Sequence, residues 1–244
     1  MEVRDGFIVG IFNYCDRWCE TCAFTSRCRL FADVAEIEAK LDPGLKAIVE
    51  APPLPQDIPP PPPPWMQEVI DQMNEAATSA VATTEPPPPR PVPPEHLVIE
   101  ARADDYFTRA HVWLRGRTCP RTDPADPCTV IEWFHLQIVV KVHRAIRGLA
   151  EDDPDDRGWP ADHDGSAKVA LLGIDRSHAA WLEAVERGLA PDSEAALFVA
   201  DLVWLGEALE RVFPKARAFV RPGFDEPEEV SMLTGGSEDP PLRF

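Results

Sequence analysis

Four of the six cysteines lie close together near the beginning of the chain. Cys15, Cys19, Cys22 and Cys28 form the pattern C-x3-C-x2-C-x5-C within the segment YCDRWCETCAFTSRC. In a reducing compartment, thiols this close in sequence usually bind a metal rather than pair as disulfides. If the segment is helical, the first three thiols share one face and the fourth returns from the next turn. We therefore predict a metal site at these four residues.

The spacing does not select the metal. Zinc prefers four thiolates in a tetrahedron, and an iron–sulfur cube takes one thiolate per iron, so both chemistries fit four cysteines. Redox-active thiols are a third possibility. The aromatic residues Tyr14, Trp18, Phe24 and Phe31 would cover the site in each case. Cys119 and Cys128 have no obvious second pair of ligands, and we expect them to be plain thiols.

A second group of candidate ligands lies further along the chain. Glu132 and His135 are three residues apart, and so are Asp175 and His178. Residues at this spacing share one face of a helix, and each pair lies on a stripe of apolar residues. Burying such groups costs several kcal/mol unless they are paired or bind a metal. Nearby arginines offer the simpler alternative, in which each pair forms ordinary salt bridges.

Further carboxylates occupy comparable stripes on the remaining predicted helices, at Asp201 and at Glu100 or Asp104. Over residues 95–215, the set resembles the ferritin-like di-iron and di-manganese carboxylate proteins. The resemblance implies two carboxylate–histidine pairs, Glu132 with His135 and Asp175 with His178. It also implies that Asp201 and one of Glu100 or Asp104 supply the single carboxylates. A di-iron or di-manganese centre of this kind would act on oxygen, peroxide or a small organic substrate.

The elements that would position these residues are predicted to be mainly α-helical. Helical periodicity and clear breakers delimit four long helices in a four-helix bundle. The predicted segments are EHLVIEARADDYFTRAHVWLRGR, CTVIEWFHLQIVVKVHRAIRGL, GSAKVALLGIDRSHAAWLEAVERGL and DSEAALFVADLVWLGEALERVF. A short helix LFADVAEIEAKL follows the cysteines, and WMQEVIDQMNEAATSAV is also compatible with a helix.

Proline content sets the predicted boundaries, because more than half of the 28 prolines lie between Pro52 and Pro94. Such tracts favour extended polyproline structure, which acts as a semi-rigid spacer or binds a partner's aromatic groove. We predict a cysteine-rich metal-binding module at 1–48, a proline-rich linker at 49–94, a four-helix bundle at 95–219 and a tail at 220–244.

Charge limits the possible partners. With 24 basic and 42 acidic residues, the chain carries a formal charge of -18, which repels phosphate backbones and anionic lipid. We therefore expect no nucleic-acid and no membrane partner. The first residues lack a secretory signal pattern and no long apolar run follows, so a cytoplasmic location is expected.

Two functions follow from these observations. The first is a non-haem di-metal oxidoreductase with an iron–sulfur or zinc site at the four cysteines. The second is a non-catalytic adaptor, in which zinc staples the N-terminal module and the proline-rich linker spaces or binds a protein partner. Metal stoichiometry separates them, because the adaptor requires about one zinc per chain and no iron.

Overall fold

The structure, a computed structural model, describes residues 2–40, 63–80, 91–116, 123–151 and 162–226. This part of the chain contains six α-helices and one two-stranded sheet. The prediction of a mainly helical fold is confirmed, whereas the predicted count of four helices is not exact. The helices are α1 (Arg29–Lys40), α2 (Pro64–Ala80), α3 (Pro94–Arg115), α4 (Pro127–Glu151), α5 (Asp162–Glu186) and α6 (Asp192–Val212).

Helices α3 to α6 form a compact, bundle-like arrangement. Each packs against its neighbours in sequence, and α6 also packs against α3. Contacts between residues early in α3 and late in α4 show that neighbouring helices run antiparallel, as in the ion pair of Glu100 with Arg147. The largest fully buried side chains include Trp181, Tyr106 and Phe134. Truncating a buried aromatic of this size typically costs about 3–5 kcal/mol, so these residues hold the helices together.

The most extensive helix contact joins α4 and α5. It depends on Gly173, where an added Cβ would lie 3.1 Å from Phe134 and 3.2 Å from Ile138. A larger residue at this position would push the two helices apart. This close approach fixes the surface on which the N-terminal segment rests.

A small β-hairpin opens the described chain. Strand β1 (Val3–Arg4) pairs antiparallel with β2 (Phe7–Ile8), with Val3 opposite Ile8. The two connecting residues, Asp5 and Gly6, both have positive φ, as a tight two-residue hairpin turn requires. The apolar segment FIVGIFNY therefore contributes only a short strand before the cysteine segment begins.

The chain divides by its contacts into two units, residues 1–35 with 90–244, and residues 36–89. Most of the predicted proline-rich linker lies outside the described residues, as does most of the predicted tail. Within the second unit, α2 carries exposed apolar side chains at Trp65, Met66, Val69, Ile70 and Met73. None of the described helices combines the length and apolar character needed to span a membrane.

The segment after α6 returns to the N-terminal residues of the same unit. A 3-10 turn, Ala216–Ala218, leads to Gly223, whose φ is 79°. An added Cβ at Gly223 would lie 3.0 Å from Ile8 and 3.1 Å from Ile11. The next residue, Phe224, packs edge-on against Phe24 with ring centroids 5.1 Å apart. Glycine is therefore required at position 223, both for the positive φ and for the close approach to Ile8 and Ile11.

Candidate metal centre

The four cysteines lie on short turns rather than on one α-helix. Cys19 begins the 3-10 turn Cys19–Thr21 and Cys22 ends it, while Cys28 ends the following turn, Thr25–Arg27. The helical face considered for the first three cysteines is therefore not formed. Two three-residue 3-10 turns replace it, one between Cys19 and Cys22 and one directly before Cys28.

All four cysteines line one small cavity of about 20 Å³. Its remaining wall is largely apolar and includes Phe24, Phe31 and Phe224. A volume of this size accommodates one water-sized occupant. Cys15, Cys19, Cys22 and Cys28 form no disulfide. Within the described ranges, no three His, Cys, Asp or Glu side chains are already arranged to hold a metal ion, the four cysteines included.

Burial disfavours ionisation of three of the four clustered thiols. It raises the pKa of Cys15, Cys19 and Cys22 above the ordinary value, and at Cys19 the other three thiols raise the pKa further. The backbone N–H of Phe24 donates to Sγ of Cys22 at 3.4 Å, a contact that supports a thiolate. The thiol of Cys15 donates to the carbonyl oxygen of Phe12 at 3.5 Å.

The segment that carries Cys15 is docked on helices α4 and α5. A carboxylate oxygen of Asp16 lies 2.6 Å from the guanidinium of Arg176, and the carbonyl oxygen of Asp16 accepts the indole N–H of Trp133 at 2.8 Å. The ring of Trp18 stacks on Trp133, with centroids 5.4 Å apart and planes 16° from parallel. The cysteine segment thus shares an interface with the helices of its unit.

Two further contacts hold the same segment. The buried ammonium of Lys141, on α4, donates to the carbonyl oxygen of Asn13 at 2.9 Å, and burial lowers the pKa of Lys141 to about 8. Tyr14 packs over Gly165 of α5, and burial together with Asp162 raises the pKa of Tyr14 to about 12. Sequence reasoning missed these roles. The one available signal was a lysine within the apolar run IVVKV.

The first predicted carboxylate–histidine pair lies at a pocket of about 600 Å³ that Glu132 and His135 line together with Trp18 and Trp133. His135 is buried, and its Nδ1 lies 2.7 Å from the backbone carbonyl oxygen of Glu132. Its Nε2 faces Nδ1 of His111 at 3.4 Å. Burial lowers the pKa of His135, which favours the neutral imidazole.

The second predicted pair lies on an open surface groove. The carboxylate of Asp175 is half exposed and pairs with the guanidinium of Arg217 through both of its oxygens. His178 lines the same groove with Glu207 and Glu210. The contacts of Asp175 match the alternative in which the predicted pairs form ordinary salt bridges with arginines.

The predicted single carboxylates also have cationic partners. Asp201 is buried between Arg102, whose Nε lies 2.7 Å from Oδ1, and Arg109, which contacts Oδ2.

Glu100 is buried as well, with Arg147 at 3.1 Å and Nδ1 of His143 at 3.2 Å. Asp104, on the surface, reaches Nε2 of the same histidine at 3.0 Å. Of the seven ligands predicted for the bundle, Glu100 and Asp104 both contact His143. Glu132 and His135 line the same pocket. Asp175 and Asp201 pair with arginines elsewhere.

Comparisons with known proteins add no relative to this geometry. A scan of protein-family models, a search of curated proteins and a search of solved structures each found no match for this chain.

Proposed function

We propose that this protein binds one zinc ion through Cys15, Cys19, Cys22 and Cys28, and that the ion is structural rather than catalytic. The observation that carries the proposal is the single cavity that all four cysteines line. Four thiolates match the closed, four-coordinate sites in which zinc stabilises small folds. All four cysteines line this one cavity, and their side chains would have to move closer together to bind an ion.

The size of the cavity favours one ion over an iron–sulfur cube. A cube contains eight iron and sulfur atoms, whereas about 20 Å³ accommodates a single water-sized occupant. Phenylalanines form much of the cavity wall, and Asp16, Arg17 and Thr25 are the polar residues that line it besides the cysteines. A structural ion fits this environment better than a catalytic one, which needs an open coordination position.

The charged contacts of the carboxylates also favour a zinc site at the cysteines over a di-metal centre in the bundle. An arginine contacts each of three carboxylates predicted for the di-metal centre, Asp175, Asp201 and Glu100. A carboxylate that an arginine neutralises has less need of a metal. The predicted di-metal oxidoreductase therefore receives less support from the geometry than the zinc-stapled interaction protein.

The interaction role remains a prediction. The proline-rich segment 49–94 would space or bind a protein partner, and its described helix α2 exposes apolar side chains that include Trp65 and Met73. An exposed apolar face between proline tracts suits recognition by a groove on another protein.

Elemental analysis tests the metal proposal. The full chain should be purified without oxygen from cells supplied with both zinc and iron, and we expect about one zinc per chain. The variant Cys22→Ser should lose the ion. The matched control is Cys128→Ser, because Cys128 is a buried thiol on α4 outside the cavity. If the purified chain contains iron and inorganic sulfide instead of zinc, the four cysteines hold an iron–sulfur cluster and the zinc proposal is wrong. Metal-free wild-type protein would also overturn the proposal.

A further inference from the structure

The residues around the first cysteine are held by two helices that belong to a distant part of the sequence. Lys141 of α4 binds the carbonyl of Asn13, and Arg176 of α5 binds the carboxylate of Asp16. Trp133 of α4 binds the carbonyl of Asp16 and stacks on Trp18. The segment Asn13–Trp18 is therefore attached at both of its ends and near its centre.

These attachments flank two of the four cysteines. Cys15 lies between the anchored Asn13 and Asp16, and Cys19 directly follows the anchored Trp18. Consecutive Cα atoms are about 3.8 Å apart, so fixing a neighbour leaves each of these cysteines little freedom of position. The helices thus set where two of the four sulfurs can lie.

Between these contacts, the backbone adopts a conformation that is rare for residues other than glycine. Arg17 has φ 61°, in the left-handed region, which costs roughly 1 kcal/mol for a residue with a Cβ. The side chain of Asp16 supports this turn, because its Oδ1 accepts the N–H of Trp18 at 3.1 Å. The same carboxylate binds Arg176 through its other oxygen, Oδ2, at 2.6 Å. One side chain therefore links the turn between Cys15 and Cys19 to helix α5.

Charge adds to this arrangement. Zinc with four thiolates carries a net charge of about -2, which nearby cations stabilise. The chain as a whole carries -18, so cations near the site are not a consequence of composition. Lys141 places a positive group on the segment that holds Cys15, and Arg176 balances the negative charge of Asp16 in the same segment.

We propose that Arg176 and Trp133 are positioning residues of the four-cysteine site, so that metal binding and docking of the segment Asn13–Trp18 on helices α4 and α5 are thermodynamically coupled. The inference rests on the proposed metal site. It adds that contacts with the two helices control the metal affinity of that site. Coupling of this kind is reciprocal: docking increases metal affinity, and the metal tightens docking by the same factor. The strength of docking on helices α4 and α5 then depends on whether the site contains a metal ion.

The test is the affinity of the full chain for zinc, measured by competition with a chromophoric chelator. Arg176→Gln removes the charge that holds Asp16, and we expect zinc to bind about 5- to 100-fold more weakly. Arg176→Lys keeps a cation within reach of the carboxylate and should restore most of the affinity. The matched control is Arg187→Gln, because Arg187 follows the same helix and pairs with Glu183 instead.

A second variant and a second readout separate positioning from simple stability. Trp133→Phe keeps an aromatic ring beside Trp18 but loses the N–H bond to Asp16, and it should also weaken zinc binding. In the cobalt-substituted protein, both variants should change the visible absorption bands, which report the geometry of the four sulfurs. Arg187→Gln should leave the bands unchanged.

The outcomes distinguish the two proposals. Wild-type protein that binds no zinc overturns the metal site and the coupling together. Wild-type protein that binds zinc, with equal affinity in Arg176→Gln, Trp133→Phe and Arg187→Gln, leaves the metal site intact and overturns the coupling alone. In a double-mutant cycle, Asp16→Asn with Arg176→Gln should weaken binding no more than either change does singly.

Discussion

The cysteine segment and the carboxylate-bearing faces of helices α3 to α6 satisfy their polar groups in different ways. The thiols of the cysteine segment line one cavity. Along the helices, the acids are distributed, and cations from neighbouring elements bind several of them, as Arg217 binds Asp175. A carboxylate with its own arginine is complete without a metal, whereas clustered soft ligands are not. Clustering of donors, rather than their burial, is therefore the feature on which the proposed metal site rests.

The strongest test of this contrast concerns Asp201, which is buried beside two arginines. Asp201→Asn removes the negative charge that Arg102 and Arg109 contact. Breaking a buried pair costs about 3–5 kcal/mol, and because the arginines are partly exposed we expect about 2–3 kcal/mol. Urea unfolding followed by circular dichroism measures the loss.

The metal content of the same Asp201→Asn variant decides its interpretation. Zinc should stay at about one per chain, since the ion binds elsewhere. If the variant instead loses a second metal that the wild type contains, the di-metal centre predicted for the bundle is present after all.

The next effect concerns the interface between the two regions. Gly165→Ala places a methyl group about where the ring of Tyr14 lies, because the added Cβ would be 2.2 Å from that ring. Such overpacking typically costs about 1–3 kcal/mol, and Tyr14 must move away from α5. We expect lower unfolding free energy and faster hydrogen exchange in residues 13–18.

Gly206→Ala provides the control for this change. Gly206 also lies within a helix, but its added Cβ would meet Ile174 at 3.7 Å, an ordinary contact. Replacing a helical glycine with alanine there should stabilise the fold by roughly 0.5–1 kcal/mol. Equal effects of the two substitutions would show that Tyr14 does not depend on the small residue beneath it.

The smallest effect concerns pH. Burial lowers the pKa of His135 in the folded chain, so the unfolded chain binds a proton more readily. Stability from this residue is fully present above the unfolded pKa of about 6.5 and is lost as pH falls through the folded value. We expect His135→Gln to flatten the fall in unfolding free energy below pH 6.5 by about 1 kcal/mol or less. Parallel pH curves for the two proteins would contradict this.

Sequence patterns predicted the helices well because their causes are local. Gly116, Gly188 and the prolines that open α3 and α4 mark helix ends in the printed sequence, and apolar periodicity identifies what lies between them. The grouping of four cysteines was equally visible, since all of them fall within one short segment.

The parts that sequence could not provide depend on long-range pairing. Trp133 binds the carbonyl of Asp16 across 117 positions, and Arg176 reaches the same residue across 160. No periodicity signals either contact. For the same reason, Asp175 could be placed on a helix face, but its partner Arg217 lies beyond the end of α6 and could not be identified.

Phe224 has a consequence for how the protein is made. Its ring forms part of the wall of the cavity that contains Cys28, although it follows that cysteine by most of the chain. Ribosomes release a chain from its N-terminus, so the cysteines emerge while helices α3 to α6 are still unsynthesised. An ion captured at that stage would sit in an open loop that water and chelators can reach. Phe224 completes its part of the wall only after residue 224 has emerged, and a bound ion would then be less accessible than before.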